Sequence, residues 1–449
     1  MKNTRAPNPT AAGKPRPVRV SFLVAAVLVV LGAGLLGEPI RQWIATRAIL
    51  ANDAPRLDTL EEFIANAQDP ARTIHALWDT GKIPHRQVAI RQLVIAENLP
   101  SPLPAALESM LVAGALDPDM SVRETALSGL SNHGHPARLA LAAAQLDDVD
   151  PELRLLGLRH LKAADPETGL PLVIPLLDDP DPRVVGTALK WMERWAGEDF
   201  EVSLADTVKV HNPRTGEREL QPEQLARIRR GVDQAQTWRS GTDGDSLRVP
   251  LPVPDHAWAG RQPIPAGDFR LPALDGRMVR FSDYRGRVVV LNFWATWCTA
   301  CLSELPALVA LHERHRDWLT ILGISLDGVP DSHGHVGGHH ASDDGHAHNH
   351  AGHDHGHAHA HGRENRRPSL DAIRAKVARS VERHGLTYPI LLDPTYRVGG
   401  RFNGGELPTN VIVDADGHVQ RRFVGARDLA VFEAMVMEAA GNKWLLPTL

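Results

Sequence analysis

The sequence predicts a multidomain protein with a single membrane-spanning helix, an α-helical repeat region and a C-terminal α/β domain. Three observations predict it: an uncharged apolar run near the N-terminus, a 31-residue period in the middle, and an apolar strand leading into a Cys-x-x-Cys motif. A length of 449 residues allows about three domains. The 49 Lys+Arg and 54 Asp+Glu are spread along the chain, so we expect no nucleic-acid-binding face.

The N-terminal segment predicts a membrane anchor. Residues 20–37 carry no charge and are rich in Val, Leu and Ala, which is typical of a helix that crosses the hydrocarbon core. Residues 1–19 contain five basic and no acidic residues, so this segment is expected in the cytoplasm. We therefore expect a single-pass protein of the cell inner membrane with its C-terminal bulk in the periplasm. A cleaved signal peptide is the alternative, although Leu35, Leu36 and Gly37 make a poor cleavage site.

The middle of the chain repeats every 31 residues. Asp119, Asp150 and Asp181 each precede a segment whose apolar residues recur at helical spacing. An aspartate before the first turn can cap a helix, and Pro151 and Pro182 suit the first helical position. Each unit is therefore predicted to contain a turn, a helix, a short loop and a partner helix.

The repeat pattern Asp-Pro-x-Val-Arg-x-x-Ala-Leu resembles short bacterial HEAT-like repeats over about residues 55–197. Such repeats stack on their neighbours and present an extended concave surface. Two roles are open, namely a spacer that holds the C-terminal domain away from the membrane and a docking surface for a protein partner. Residues 198–262 lose the period and end in alternating prolines, which predicts an extended linker, with one more amphipathic helix over 221–238.

The reactive site is predicted where an apolar strand meets a helix. The run from Val288 to Phe293 indicates a buried strand, and Leu302 to His315 has helical apolar spacing. Cys298 thus falls at a helix N-terminus, where the dipole and free N–H groups lower a thiol pKa and favour the thiolate nucleophile. Cys301 is placed to attack a mixed disulfide formed at Cys298. A purely structural disulfide and a metal bound by the two thiolates are the alternatives.

Residues 291–306, Leu-Asn-Phe-Trp-Ala-Thr-Trp-Cys-Thr-Ala-Cys-Leu-Ser-Glu-Leu-Pro, closely resemble the membrane-anchored thioredoxin-like thiol:disulfide oxidoreductases of the TlpA/ResA type. Residues 267–286 are similar to the entry hairpin of that family, and residues 388–393 and 407–417 to its later strands. The resemblance implies an α/β thioredoxin-like fold over residues 263–449 and a dithiol/disulfide cycle that requires no cofactor. It also implies client protein disulfides and a membrane electron donor as partners.

The same resemblance implies roles for three further residues. Pro408 would be a cis-proline facing the cysteines, and Trp297 a wall of the site, with core packing as the alternative for Trp297. Glu304 lies where the family has an acidic residue and is a candidate for relaying a proton to or from Cys301. The alternative for Glu304 is an exposed first-turn residue favoured by the helix dipole. Asn292 takes the position at which thioredoxins themselves have a buried aspartate.

The two residues between the cysteines, Thr299 and Ala300, differ from the prolines of many relatives. They influence thiolate stability and hence the reduction potential, so the direction of electron flow is left open. An outward-facing, anchored relative usually acts as a reductant, which is the direction we favour.

A histidine-rich segment interrupts the C-terminal domain. Residues 333–361 contain 12 of the 23 histidines, mixed with Gly, Ala and Asp, and this composition predicts a disordered insertion. Imidazoles suit Zn²⁺, Cu²⁺ or Ni²⁺, and a solubilising insert is the alternative. The candidate ligands are His346, His348, His350, His353, His355, His357, His359 and His361. Two other function classes remain open: metal handling that combines this loop with the dithiol, and an interaction scaffold built on the helical repeats.

Overall fold

The computed structural model describes residues 38–95, 103–211, 218–240, 251, 253, 263–329 and 368–441. Residues 1–52 and 53–449 form two separate compact units. In the first unit the structure describes helix α1 (Glu38–Ala51). The predicted cytoplasmic segment 1–19 and anchor 20–37 lie outside the described residues. Among the helices that are described, none combines the length and apolarity needed to cross a membrane.

The second unit begins with a run of helices, as the 31-residue period predicts. Asp119, Asp150 and Asp181 are N-caps whose side chains accept hydrogen bonds from the first-turn amides. The region is helical throughout its described length, while its assignment to HEAT-like repeats stays a prediction. Its helices are α2 (Leu57–Ala65), α3 (Pro70–Asp79), α4 (Ile83–Ile95), α5 (Ala105–Gly114), α6 (Met120–Asn132), α7 (Arg138–Ala143), α8 (Pro151–His160), α9 (Pro166–Val173) and α10 (Pro182–Ala196).

Successive repeats are joined by recurring Arg–Asp pairs. Arg123 Nη1 lies 3.4 Å from Asp148 Oδ2. One period later, Arg154 Nε lies 2.7 Å from Asp179 Oδ2. All four side chains are largely buried, so within each pair the two opposite charges compensate each other. The pairs also fix the spacing between neighbouring helices.

The stretch predicted as an extended linker is partly folded. The strands β1 (Val210–His211) and β2 (Arg218–Glu219) form a short antiparallel pair. They precede helix α11 (Pro222–Ser240), which confirms the helix predicted at 221–238. Helix α11 packs on α10: a Cβ on Gly231 would meet Val202 and Leu189. Residues 200–211 and 218–240 therefore contain packed structure within the stretch predicted as a linker. Buried apolar residues such as Ile228 attach this stretch to the helical region.

The C-terminal domain is built on a six-stranded sheet in the described part of the chain, in the order β3-β10-β9-β6-β7-β8. Strand pairs β6/β7 and β7/β8 are parallel, and the other three pairs are antiparallel. A separate hairpin, β4/β5, occupies the position of the predicted entry hairpin. The elements are β3 (Ile264–Pro265), β4 (Arg270–Pro272), β5 (Met278–Arg280), β6 (Val288–Trp294), α12 (Thr299–His315), β7 (Leu319–Ser325), α13 (Leu370–His384), β8 (Ile390–Leu392), β9 (Thr409–Val413), β10 (His418–Val424) and α14 (Leu429–Ala439).

Two apolar layers cover the two faces of this sheet. Along the fully buried strand β6, Val288 and Val290 contribute to the cluster with α12, α13 and α14. Val289 and Leu291 contribute to the opposite cluster, which contains residues of the β4/β5 hairpin. Side chains alternate along a strand, so Asn292 points to the same face as Val290, toward α12. The histidine-rich residues 333–361 lie outside the described residues.

The helical region packs directly onto the C-terminal domain. Ile83 belongs to one apolar cluster of that domain, and Met120 and Val149 pack against the other. The backbone N–H of Arg422 on β10 donates to the carbonyl of Pro118, at 2.9 Å. Three buried ion pairs cross the interface: Asp119 with Arg422, Asp148 with Arg421 and Asp150 with Arg427. The two roles predicted for the repeats, a spacer and a docking surface for a protein partner, did not include this contact with the chain's own C-terminal domain.

Candidate active site

Cys298 and Cys301 form a disulfide at the start of α12, with their Cα atoms 5.2 Å apart. Cys298 is the N-cap residue, and its sulfur accepts a hydrogen bond from the Cys301 backbone N–H at 3.1 Å. Cys298 is 7% exposed, whereas Cys301 is fully buried. An incoming sulfur therefore reaches Cys298 first, as the strand–helix junction predicts.

The loop between β6 and α12 is fixed by a buried aspartate. Asp327, two residues after the end of β7, accepts hydrogen bonds from the backbone N–H and hydroxyl of Thr296, at 3.0 and 2.6 Å. Lys376 on α13 lies 2.9 Å from the same carboxylate. The role of Asp327 was not predicted from the sequence, although a charged residue just after a fully buried strand was an available indication.

Trp297 projects from this loop and is 43% exposed. The core-packing alternative for Trp297 is therefore wrong. An exposed indole next to Cys298 leaves a large apolar surface beside the disulfide, which suits contact with a protein chain.

Pro408 lies at the end of the sheet that bears the cysteines. The Leu407–Pro408 peptide bond is cis. Thr409 on β9 pairs with Phe293 on β6, so Pro408 lies just beyond the last pair, beside the loop that leads to Cys298. Its carbonyl accepts a hydrogen bond of 2.8 Å from the Gly425 N–H.

Glu304 is buried between the sheet and α12, with 2% of its surface exposed. Asn292 Nδ2 donates to Glu304 Oε1 at 2.7 Å. Asn410 Nδ2 lies 3.3 and 3.2 Å from the two carboxylate oxygens. Asn292 also donates to Asn410 Oδ1 at 2.9 Å, so the two amides and the carboxyl form one network. The alternative of an exposed first-turn residue is therefore wrong.

Burial raises the pKa of Glu304 to about 8. The hydrogen bonds from Asn410 and Asn292, together with the charge and backbone N–H of Arg427, act in the opposite direction and offset only part of this effect. With the disulfide closed, the carboxyl therefore holds its proton at neutral pH. Because residues three apart share a helix face, this proton lies on the same side of α12 as Cys301.

Two further residues of the site were not found from the sequence. Asn410 is a polar residue within the buried strand Thr-Asn-Val-Ile-Val, which was the available indication. Arg427 follows β10 and gave no local indication, because its effect on Glu304 depends on the fold.

Comparisons with known proteins find relatives of the C-terminal part of the chain. Residues 262–340 match the AhpC/TSA family model. A stretch of 161 residues is 29% identical to the thiol-disulfide oxidoreductase ResA of Geobacillus kaustophilus and covers 36% of this chain and 67% of the relative. The thioredoxin-like protein YneN of Bacillus subtilis is 26% identical over 160 residues, or 36% of this chain and 69% of YneN. A solved thiol:disulfide interchange protein of the thioredoxin family from Chlorobium tepidum is 22% identical, with a TM-score of 0.28 over 40% of this chain and 97% of that one.

The C-terminal domain is a ResA-like thiol:disulfide oxidoreductase. A Cys298–Cys301 pair at a helix N-terminus can alternate between dithiol and disulfide, and each cycle moves two electrons. The helical region that precedes this oxidoreductase domain is outside the matched residues.

The predicted metal ligands of the histidine-rich insertion, residues 346–361, cannot be placed because they lie outside the described residues. Within the described ranges, no group of three or more His, Cys, Asp or Glu side chains is arranged to hold a metal ion.

The structure brings together Trp297, Cys298, Cys301, Glu304 and Pro408 at one end of the sheet.

Proposed function

We propose that the protein reduces disulfides of client proteins on the periplasmic side of the inner membrane. The observation that supports this proposal most is the buried carboxyl of Glu304, one helical turn after Cys301, with a pKa of about 8. A carboxyl that titrates near neutral pH can accept and return a proton at the buried cysteine.

In the proposed cycle, the Cys298 thiolate attacks one sulfur of a client disulfide. The client S–S bond breaks, a Cys298–client disulfide forms, and the second client sulfur leaves as a thiolate that takes a proton from water. Cys301 then transfers its proton to the Glu304 carboxylate and attacks Cys298. This step closes the Cys298–Cys301 disulfide and releases the reduced client.

Electrons return from a dithiol of a membrane donor. A donor thiolate attacks Cys298, Cys301 leaves as a thiolate, and protonated Glu304 returns its proton to Cys301. The second donor sulfur then attacks the mixed disulfide, so that the donor is oxidised and the protein is again a dithiol.

Insulin reduction by the full chain tests the cycle. Cys298→Ser is expected to abolish the activity, and Cys301→Ser to accumulate a mixed disulfide with insulin that dithiothreitol releases. Ser303→Ala, at an exposed position of the same helix, is the matched control. Retained activity in Cys298→Ser would overturn the proposal.

The direction of electron flow is tested by the reduction potential. Equilibration with defined thiol buffers is expected to give a value near that of thioredoxin, about −270 mV, for a reductant. A value near about −120 mV, as for a strong oxidant, would reverse the proposed direction.

A second proposed activity rests on the histidine-rich insertion, whose 12 histidines in residues 333–361 favour binding of several Zn²⁺, Cu²⁺ or Ni²⁺ ions. Deleting these residues should abolish metal binding measured by calorimetry and leave insulin reduction unchanged. Loss of insulin reduction on deletion would instead favour a function in which the loop and the dithiol act together on a metal site. If both cysteines prove dispensable in the cell while the helical repeats do not, the scaffold alternative is supported.

A further inference from the structure

Arg427 links the helical region to the oxidoreductase domain. Its Nε and Nη2 donate to the two carboxylate oxygens of Asp150, at 3.0 and 3.1 Å. Both side chains are almost fully buried, with exposures of 7% and 2%. A bidentate pair of this kind fixes both the position and the orientation of the guanidinium.

The guanidinium has additional partners within its own domain. Nη1 lies 3.2 to 3.3 Å from the carbonyl oxygens of Val424, Gly425 and Ala426. The guanidinium carbon is 4.8 Å from the ring centroid of Phe423. These contacts keep the charge in the loop 424–428 even when Asp150 is altered.

The same loop reaches the active site at two points. The Gly425 N–H donates to the carbonyl of Pro408 at 2.8 Å. The charge and the backbone N–H of Arg427 act on the carboxyl of Glu304. In addition, Val149, the neighbour of Asp150, packs against the apolar cluster that contains Cys298 and Cys301.

We propose that Asp150 and Arg427 are a positioning pair through which the helical region sets the charge beside Glu304 and holds the loop that supports Pro408. The inference rests on the proposed role of Glu304. The helical region would then be part of the redox site, because its second repeat supplies the anion that fixes Arg427.

The groups that act on Glu304 come from several elements. Arg427, which follows β10, acts on its carboxyl, and the charge of Glu304 in turn acts on Tyr388, ahead of β8. Cys301 lies three residues before Glu304 on the same helix. Tyr388 is buried, which raises its pKa, so it stays neutral across the pH range of the experiment. The charge of Arg427 stays constant over this pH range. Removing it tests the effect of that charge on Glu304.

The interface supplies a matched control. Asp148, two residues before Asp150, pairs with Arg421 at 2.8 Å. Arg421 also contacts Glu438 on α14, rather than Glu304. Asp148→Asn therefore removes the charge that pairs with Arg421 at the same interface, while its side-chain oxygen can still accept the hydrogen bond of 2.9 Å that the Asp150 backbone N–H donates.

The experiment follows alkylation of each cysteine by iodoacetamide in the reduced full chain between about pH 5 and 10, with mass spectrometry resolving Cys298 from Cys301. Arg427→Gln removes the positive charge, so the midpoint for Cys301 is expected to rise by about half a pH unit or more. Asp150→Asn leaves the guanidinium in place without its anion, so the midpoint is expected to fall. Asp148→Asn should keep the midpoint of the unaltered protein.

Arg427→Lys retains the charge without the bidentate contact and is expected to bring the midpoint back toward that of the unaltered protein. A purely structural role would lower the melting temperature of all these variants without separating their midpoints. The proposal is overturned if Arg427→Gln and Asp150→Asn leave the midpoint unchanged or shift it in the same direction. The assay measures thiol titration, so it stands apart from insulin reduction, whose loss or retention tests the proposed function alone.

Discussion

Asn292 and Glu304 come from different layers of the oxidoreductase domain, and the amide nitrogen of the first lies 2.7 Å from a carboxyl oxygen of the second. The strand supplies a neutral hydrogen-bond donor at a position where a negatively charged aspartate would repel the Glu304 carboxylate. Because the amide only partly offsets the cost of burying the charge, Glu304 titrates near pH 8 rather than near its ordinary value of 4.5.

Replacing Glu304 with Gln should slow the step in which Cys301 attacks the mixed disulfide. The substituted amide would keep the shape of the side chain but could not accept the proton of Cys301, and general acid–base groups contribute about 10²-fold or more to such steps. We expect the release of a Cys298–glutathione mixed disulfide to slow by about that factor, measured by rapid quench. Glu313→Gln, on the exposed side of the same helix, is the control, and an equal rate in both variants would contradict the assignment.

The raised pKa of Glu304 also predicts how the stability of the oxidised protein depends on pH. Between about pH 4.5 and 8 the folded protein keeps the proton of Glu304 while the unfolded chain loses it. The free energy of unfolding should therefore fall as pH rises, by up to about 1.4 kcal/mol per pH unit from this group. Below pH 4.5 both states hold the proton, and the contribution becomes constant.

Denaturant unfolding of the oxidised protein at several pH values measures this slope. Glu304→Gln should remove it, so that the variant gains stability relative to the unaltered protein as pH rises toward 8. Parallel curves for the two proteins would show that Glu304 is already ionised in the folded state at neutral pH.

The features that the sequence predicted are those encoded by neighbouring residues. The position of Cys298 follows from the strand and helix on either side of it, and the cis bond at Pro408 was implied by the family resemblance of residues 407–417. The environment of Glu304 was not predictable in this way, because Asn410 lies 106 residues further along the chain. Its burial depends on how strands β6 and β9 pair, which periodicity does not reveal.

The docking of the helical region was missed for a related reason. The Asp-Pro pattern predicted Asp150 as a helix cap, and the backbone N–H of Glu152 does donate to it. The same carboxylate also binds Arg427, 277 residues away, a second partner that the repeat pattern cannot indicate. The carboxylate of Asp150 has lone pairs that the helix cap does not occupy, and these accept hydrogen bonds from Arg427 of the oxidoreductase domain.

The interdomain pair of Asp119 and Arg422 predicts a large loss of stability when one partner is removed. Their side chains are 2% and 0% exposed, and Arg422 also donates to the carbonyls of Phe402 and Asn403. Asp119→Ala leaves a buried guanidinium without its anion and removes a helix cap, so we expect a cost of about 3 kcal/mol. Denaturant unfolding measures the cost.

Asp58→Ala is the control for that experiment, because its partner Arg56 and Asp58 itself are both exposed. Its unfolding midpoint should stay close to that of the unaltered protein. If the two variants lost similar stability, the contact between the helical region and the oxidoreductase domain would not contribute to the folded state as the buried pair indicates.

His85, near the N-terminus of helix α4 in the helical region, predicts a loss of stability in acid. The imidazole is fully buried, its Nδ1 lies 2.8 Å from the Thr80 hydroxyl, and burial followed by the nearby Lys82 lowers its pKa to about 4. Between about pH 6.5 and 4 the unfolded chain binds a proton that the folded protein does not. The free energy of unfolding should therefore fall as pH drops through this window, by up to about 1.4 kcal/mol per pH unit from His85.

His85→Gln should cost stability at pH 7, where the neutral imidazole fits its site, and cost progressively less as the pH approaches 4. Denaturant unfolding at about pH 7, 6, 5 and 4.5 measures this convergence. His75→Gln, at a partly exposed position of the preceding helix, is the control substitution. A constant gap between His85→Gln and the unaltered protein across the series would mean that the buried imidazole accepts a proton without unfolding the helical region.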